Sequence, residues 1–380
     1  MKYYVKSDRI LTDGQIYNGY IEITDGIITK ISENIESCDT VLDFSGKYVL
    51  PGFVEIHTHG AGGYPFLTKE ASVVANACDY HLKHGTTTIL PTLSASPFEI
   101  MKDGVIAIKE ARDKGLSKAR IIGAHLEGPY LSPKQCGAQC PTHITEPKKE
   151  DYTSLIEEYG DAVARWTYAP ERDDGSFARY LTERGIIASA GHTDAVGEDM
   201  KRGEANGMNL VTHLYSCTST VTRKMGFRSL GVIESTFLSD GITAEIIADG
   251  KHLPVDLVKM IIKIKGADKV IAVTDSLEIA GTDIKSGNMA GTDFIVEDGV
   301  CKLADRSAFA GSVATSDVLL RFLVGECDVS IADAVKMLCE NPAKMLGINA
   351  GKIDTGCYAD LVVLDGELTV TDVFVGGERV

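Results

Sequence analysis

Three apolar stretches open the chain: "YYVKSDRILTDG", "GYIEITDGIITKI" and "TVLDFSGKYVLPG". They alternate hydrophobic and polar positions and break at Gly or Asp, which predicts short strands and turns over the first 50 residues. From residue 51 the rhythm changes. Short apolar runs alternate with longer segments of helical period. The runs are "FVEIH", "TTTILPTLSA", "RIIGAHLEGP", "RWTYAPE", "GIIASAGH", "NLVTHLYS", "GITAEIIADG" and "KVIAVTD". Between them, "KEASVVANACDYHLKHG", "EIMKDGVIAIKEARDKG" and "PVDLVKMIIKIKG" read as helices, each ending in Gly.

Eight strands alternating with helices predict an α/β fold, a (β/α)8 TIM barrel. An open doubly wound sheet is the rival, but no GxGxxG turn follows the first strand. After residue 280 comes a Gly-rich excursion, "GTDIKSGNMAGTDFIVEDGV", and then helical segments to about residue 346. The end, "GKIDTGCYADLVVLDGELTVTDVFVGGERV", is again strands and turns. Both termini are β-rich, so residues 1–50 and 347–380 are expected to pair in one small β-sandwich domain. Residues 51–346 then form the barrel.

Composition narrows the function. Lys plus Arg number 38 and Asp plus Glu 54, a formal charge of −16, which argues against nucleic acid as a partner. A local basic pocket for an anionic substrate stays open. No apolar run reaches the roughly 18 residues of a membrane span. The start lacks the apolar core of a signal peptide, so a cytoplasmic protein is expected. The nine cysteines are scattered, as in a chain whose thiols stay reduced.

The chemistry lies at the strand ends, where barrel enzymes carry their active residues. His57 and His59 end the first strand and Glu127 the third. His192 ends the fifth, His213 lies in the sixth and Asp275 ends the eighth, while His252 follows the seventh. Residues two apart on a strand point the same way, so His57 and His59 can face one ion together. Four histidines and two carboxylates at one mouth suit one or two divalent transition metals: Zn or Fe first, Ni or Co also. Asp275 is the natural group to take and return a proton beside such a site. His81 and His84 sit near a helix end and read as structural or solvent-facing. His125 precedes Glu127 by two residues and points the same way, as a supporting residue.

These residues resemble the amidohydrolase superfamily, metal-dependent barrels flanked by a small β-sandwich built from both termini. "PGFVEIHTHG" resembles its first-strand metal motif, and "GKIDTGCYADLVVLD" its closing sandwich motif. Within it, "HGTTTILPT", "GAHLEGPYLS", "AGHTDA", "THLYS", "ADGKH" and "VTDS" together resemble the N-acetylglucosamine-6-phosphate deacetylases, over nearly the whole chain. The resemblance implies that Glu127, His192 and His213 hold the tighter metal. His57 and His59 match a pair that binds a second metal in some members. Asp275 matches the catalytic acid/base. Hydrolysis of an acetamide follows, giving acetate and an amino sugar phosphate, and a homodimer is expected with it. Alternative readings are a different N-acyl or cyclic amide substrate, and a ligand-binding barrel without catalysis.

The departures fall on the substrate side. The family's loop histidine is replaced by Gln139, which can donate a hydrogen bond but cannot become a cation. Its Asn-Ala pair after the sixth-strand histidine is replaced by Ser216 and Cys217, and its phosphate-binding arginine by Lys224, a point charge without the bidentate fork. Arg223 or Arg228 can substitute. His252 matches the family's substrate-contacting histidine. Cys136, Cys140 and His143 form a C-x3-C-x2-H set in the Gln139 loop. It offers a zinc knuckle without an evident fourth ligand, or a mobile lid with oxidisable thiols.

Overall fold

Each of the eight apolar runs becomes a parallel strand of one sheet, in chain order. The strands are Phe53–Thr58, Thr86–Ser94, Arg120–Ile121 continuing as Ala124–Glu127, Val163–Tyr168, Ile187–Ala190, Leu210–Val211, Thr243–Ile247 and Val270–Val273. The computed structural model describes residues 2–35, 40–289 and 291–380, apart from the side chain of Lys224. Strands covered by helices on one face and filling a barrel on the other are buried throughout, which is why their sequences read as short apolar runs. Interior positions form layers. Leu90, Ile187, Leu210 and Ile271 belong to one apolar cluster. Two residues further along three of these strands come Thr92, Ser189 and Thr212, all buried, so the barrel turns polar towards its C-terminal mouth.

The three segments read as helices form over Ala71–Lys83, Phe98–Asp113 and Val255–Lys265. The glycines after them, Gly85, Gly115 and Gly266, have φ of 88°, 58° and 75°, conformations that an L side chain resists. Among the described residues, no helix is long and apolar enough to cross a membrane.

The first and eighth strands meet at a seam without a regular ladder. At the mouth, Asp275 N donates to His57 O at 2.9 Å and His59 N to Ser276 O at 2.7 Å. Beneath these bonds the buried Glu55 carboxylate accepts from His57 N and Thr274 N, each at 2.9 Å.

The termini form one eight-stranded sheet, in which Tyr48–Pro51 pairs antiparallel with Leu361–Leu364. The sheet folds back on itself around Ile10, Ile21, Ile23, Leu361 and Val363. Phe44 meets Phe374 edge to face at 5.9 Å, so the two ends enclose a core sandwich-fashion. The Gly-rich excursion holds structure that its pattern hides. Ser286–Met289, Thr292–Glu297, Val300–Leu303 and Phe309–Gly311 form a four-stranded antiparallel sheet. These strands are mostly half-exposed, so the alternation that would mark them is weak.

Candidate metal centre and active site

Two triads of ligating side chains stand at the barrel mouth: Glu127 with His192 and His213, and His57 with His59 and Asp275. Within each triad one donor atom per residue lies within 4.8 Å of the others. All six residues are buried. Local backbone places them in two ways. His57 and its partner follow the period of the first strand, which ends because Gly60 turns away with φ 151°; a Cβ there would lie 2.3 Å from Tyr64 O. His192, His213 and Asp275 instead have φ of 46°, 28° and 47°, left-handed turns at strand ends that aim each side chain back over the barrel. Such conformations cost about 1–3 kcal/mol each in residues other than glycine.

Glu127 joins the triads. Its Oε1 lies 3.2 Å from His192 Nε2, 3.0 Å from His213 Nε2 and 3.4 Å from His57 Nε2. Its Oε2 lies 3.2 Å from His59 Nε2 and accepts from Gln139 Nε2 at 2.7 Å. Asp275 Oδ1 is 3.4 Å from His57 Nε2 and 3.3 Å from His59 Nε2.

The outer ring nitrogens settle which inner ones can bind an ion. His57 Nδ1 donates to the Glu245 carboxylate at 2.8 Å, and His192 Nδ1 donates to Gln135 O at 2.9 Å. An oxygen acceptor requires the proton on Nδ1, which leaves the Nε2 lone pair facing inward. His57 Nε2 is buried and has no hydrogen-bond partner. That orphaned acceptor among carboxylates is what a bound cation would satisfy.

Charge gives the same picture. Burial opposes ionisation of Glu127, yet His57 and His192 hold its carboxyl well below the usual range. Burial likewise opposes ionisation of Asp275, and His57 and His59 draw it below its ordinary value. Burial would lower the two strand imidazoles. Asp275, Glu127 and Glu245 outweigh it and push His57 up to about 10, while Asp275 and Glu127 push His59 up to about 9. A divalent ion supplies that positive charge while leaving the imidazoles neutral, the form that coordinates.

The triads open into a cavity of about 290 Å³. Gln139, Ser216, Cys217 and His252 line it. Gln139 is engaged on both sides, since its Oε1 also accepts from Ala95 N at 2.9 Å. It therefore braces Glu127 as well as facing the cavity. His252 Nδ1 donates to Asp249 at 2.8 Å, and its ring meets Phe309 at 5.0 Å. Met289, Phe294 and Phe309 from the four-stranded sheet form the wall above the metal residues. The Lys224 side chain lies outside the described residues; Arg223 and Arg228 are exposed on the hairpin Thr222–Lys224/Phe227–Ser229.

The loop thiols and His143 do not converge as a ligand cluster. Among the described residues only the two triads cluster as metal ligands. His143 turns to Ala95 O at 3.2 Å and Cys140 to Thr142 at 3.1 Å. The loop over the site is tied down through Gln139, through Gln135 O on His192, and through Thr292, which donates to Ala138 O at 3.3 Å. The eight described cysteines are free thiols. His81 is fully buried against Thr58, and burial lowers it to about 4, as a structural histidine. His125 bonds Thr92 and Thr167, and its ring meets that of His57 at 4.7 Å.

Four charged residues of this neighbourhood escape the strand-end reading: Glu55, Arg165, Glu245 and Asp249. Three of them are charges inside otherwise apolar strands, in "FVEIH", "RWTYAP" and "AEIIADG". A charge inside a buried strand must be paired, and that signal was available.

A barrel carrying two ligand triads at its mouth, each with one carboxylate, is the architecture of a metal-dependent hydrolase. The amidohydrolase family pattern matches residues 48–380, so the chain belongs to the amidohydrolase family and is a hydrolytic enzyme. It is 30% identical over 356 residues to an N-acetylglucosamine-6-phosphate deacetylase of Lysinibacillus sphaericus, covering 93% of this chain and 91% of that one. The structure of N-acetylglucosamine-6-phosphate deacetylase from Pasteurella multocida superposes with a TM-score of 0.93 at 27% identity over 100% of both chains. A variant of the Mycobacterium smegmatis enzyme, in complex with N-acetyl-D-glucosamine-6-phosphate, superposes with a TM-score of 0.92 at 28% identity. It covers 100% of this chain and 99% of that one.

Proposed function

We propose that this enzyme removes the acetyl group of N-acetylglucosamine-6-phosphate, or of a close N-acetylated amino-sugar phosphate, releasing acetate. The observation that carries this reading is the pair of triads sharing Glu127 beneath one cavity. Glu127, His192 and His213 would hold one divalent ion; His57, His59 and Asp275 would hold a second. Zn or Fe suits imidazole and carboxylate donors, as do Ni and Co. When bound, such an ion acidifies water and polarises a carbonyl. Asp275 takes the proton of the attacking water and returns it to the departing amine. His252, fixed by Asp249, orients the sugar with Ser216 and Cys217.

In this reading residues 51–346 carry the chemistry, and residues 1–50 with 347–380 brace the barrel from outside. Lys224, with Arg223 and Arg228 on the same hairpin, supplies the charge that meets the phosphate. The hairpin tip exposes Met225 and Phe227 at 91% and 80%, apolar area that a homodimer would cover. A cytoplasmic location fits a sugar phosphate.

One observation favours a second reading, in which the same chemistry acts on another N-acyl or cyclic amide. The described lining includes no lysine or arginine, and Leu277, Met289, Phe294 and Phe309 make much of the wall apolar. Metal analysis together with acetate release from N-acetyl sugars and their 6-phosphates decides between them. We expect bound divalent metal and a clear preference for a 6-phosphate. Equal turnover of the unphosphorylated sugars would remove the phosphate from the substrate.

A further inference from the structure

The interior of the barrel holds a charge pair that the reaction does not require for contact with substrate. Arg165, on the fourth strand, and Glu245, on the seventh, are both 0% exposed and ion-paired through Arg165 Nη1 and Glu245 Oε2. Burying two ions is costly unless every remaining donor and acceptor is used. Here they are used on the metal centre. Glu245 Oε1 accepts from His57 Nδ1 at 2.8 Å and from His213 N at 3.1 Å. Arg165 donates to Ile56 O at 3.2 Å, to Thr212 Oγ1 at 2.8 Å and to Ser189 Oγ at 3.1 Å. Ile56 and Thr212 are the residues immediately before His57 and His213.

We propose that the Arg165–Glu245 pair is the positioning device of the metal centre, and that it governs the second ion through His57. It rests on the two-triad reading above. The two triads depend on Glu245 unequally. His57 receives its side-chain anchor from Glu245, which fixes the ring and keeps the proton on Nδ1, so that Nε2 faces the site. His213 receives only a backbone bond, and Leu214 N also donates to Glu245 O at 2.7 Å, so that segment keeps a second tie to the same strand. His192 and Glu127 do not touch the pair; His192 is anchored by Gln135 O, and Glu127 by Gln139. Losing the carboxylate charge therefore frees the His57 ring and proton while leaving the Glu127 triad assembled. Arg165 holds the carboxylate in place.

The test is metal titration of metal-free wild type and Glu245→Gln with cobalt(II), read by equilibrium dialysis and by the visible absorption of each cobalt site. Wild type is expected to take up two ions. Glu245→Gln is expected to keep the first and to lose roughly 10–100-fold in affinity for the second, the usual cost of removing an outer partner of a metal ligand. His57→Asn combined with Glu245→Gln should bind the second ion no more weakly than His57→Asn alone, because the carboxylate acts through that ring. Should Glu245→Gln fail to fold, the charge-free double variant Arg165→Met/Glu245→Gln leaves no unpaired buried ion and carries the same expectation. Two ions bound to a folded variant with wild-type affinity would overturn the inference, as would equal weakening of both. A wild type that binds fewer than two ions would overturn the two-ion reading first, and this inference with it.

Discussion

The two triads differ in how the chain carries them. Glu127, His192 and His213 come from the third, fifth and sixth strands, inside the continuous run of the sheet. His57, His59 and Asp275 come from the first and eighth strands and sit on the seam where the barrel closes. The first triad needs only neighbours already paired. The second exists only once the chain has returned on itself, across more than 200 residues, to bring Asp275 beside His57. Its backbone bonds at the rim and the Glu55 carboxylate beneath them replace a ladder that is absent there. A second ion held by His57, His59 and Asp275 would thus be coupled to closure of the barrel, whereas one held by the Glu127 triad would not.

Glu127 should show the largest effect, because its carboxylate reaches both triads. Glu127→Gln is expected to lose both ions and all measurable acetate release. Metal analysis that finds the second ion retained would show the triads to be independent. Asp275→Asn comes next. It removes the proton carrier, so turnover should fall by roughly 10²–10⁴-fold while the ion of the Glu127 triad stays bound. Single-turnover rates beside metal content separate that outcome from loss of metal.

The smallest effect concerns stability at the seam. Burial pushes the Glu55 carboxyl up to about 7 from 4.5, against hydrogen bonds from His57 and Thr274 that favour its anion. A folded-state value raised above the unfolded one contributes stability that is whole below about 4.5 and lost as pH rises through about 7. Gln cannot titrate. The stability of the metal-free wild type relative to Glu55→Gln should therefore decline by about 3 kcal/mol across that window. Thermal unfolding of the two at several pH values measures it. A constant difference would mean that Glu55 stays ionised throughout and that the seam carries a permanent charge.

The loop over the cavity adds a contrast of its own. Gln139 is bonded to Glu127 and to Ala95 N at once. Its amide has a donor for one and an acceptor for the other. This side chain thereby ties the loop to the ligand that both triads share.

Much of this molecule is legible in local pattern. Period-two and helical spacing gave the eight strands, three of the helices and the alternation that implies a barrel, because burial of one face or both is imposed residue by residue. The same period aimed His57 and His59 together. Placement at strand ends brought Glu127, His192, His213 and Asp275 into the set. Other features depend on contacts between distant segments. Three of the six site residues reach their positions through left-handed turns, which no hydrophobic period records. The four-stranded sheet over residues 286–311 is half-exposed and so lacks a strong alternation. Arg165 and Glu245 were visible as charges in apolar strands, but their partners were not. A charge buried in one strand states only that it must be paired. Which strand supplies the counter-charge, and which histidine it holds, follows from closing the barrel, because the strands that meet across its interior are remote in sequence.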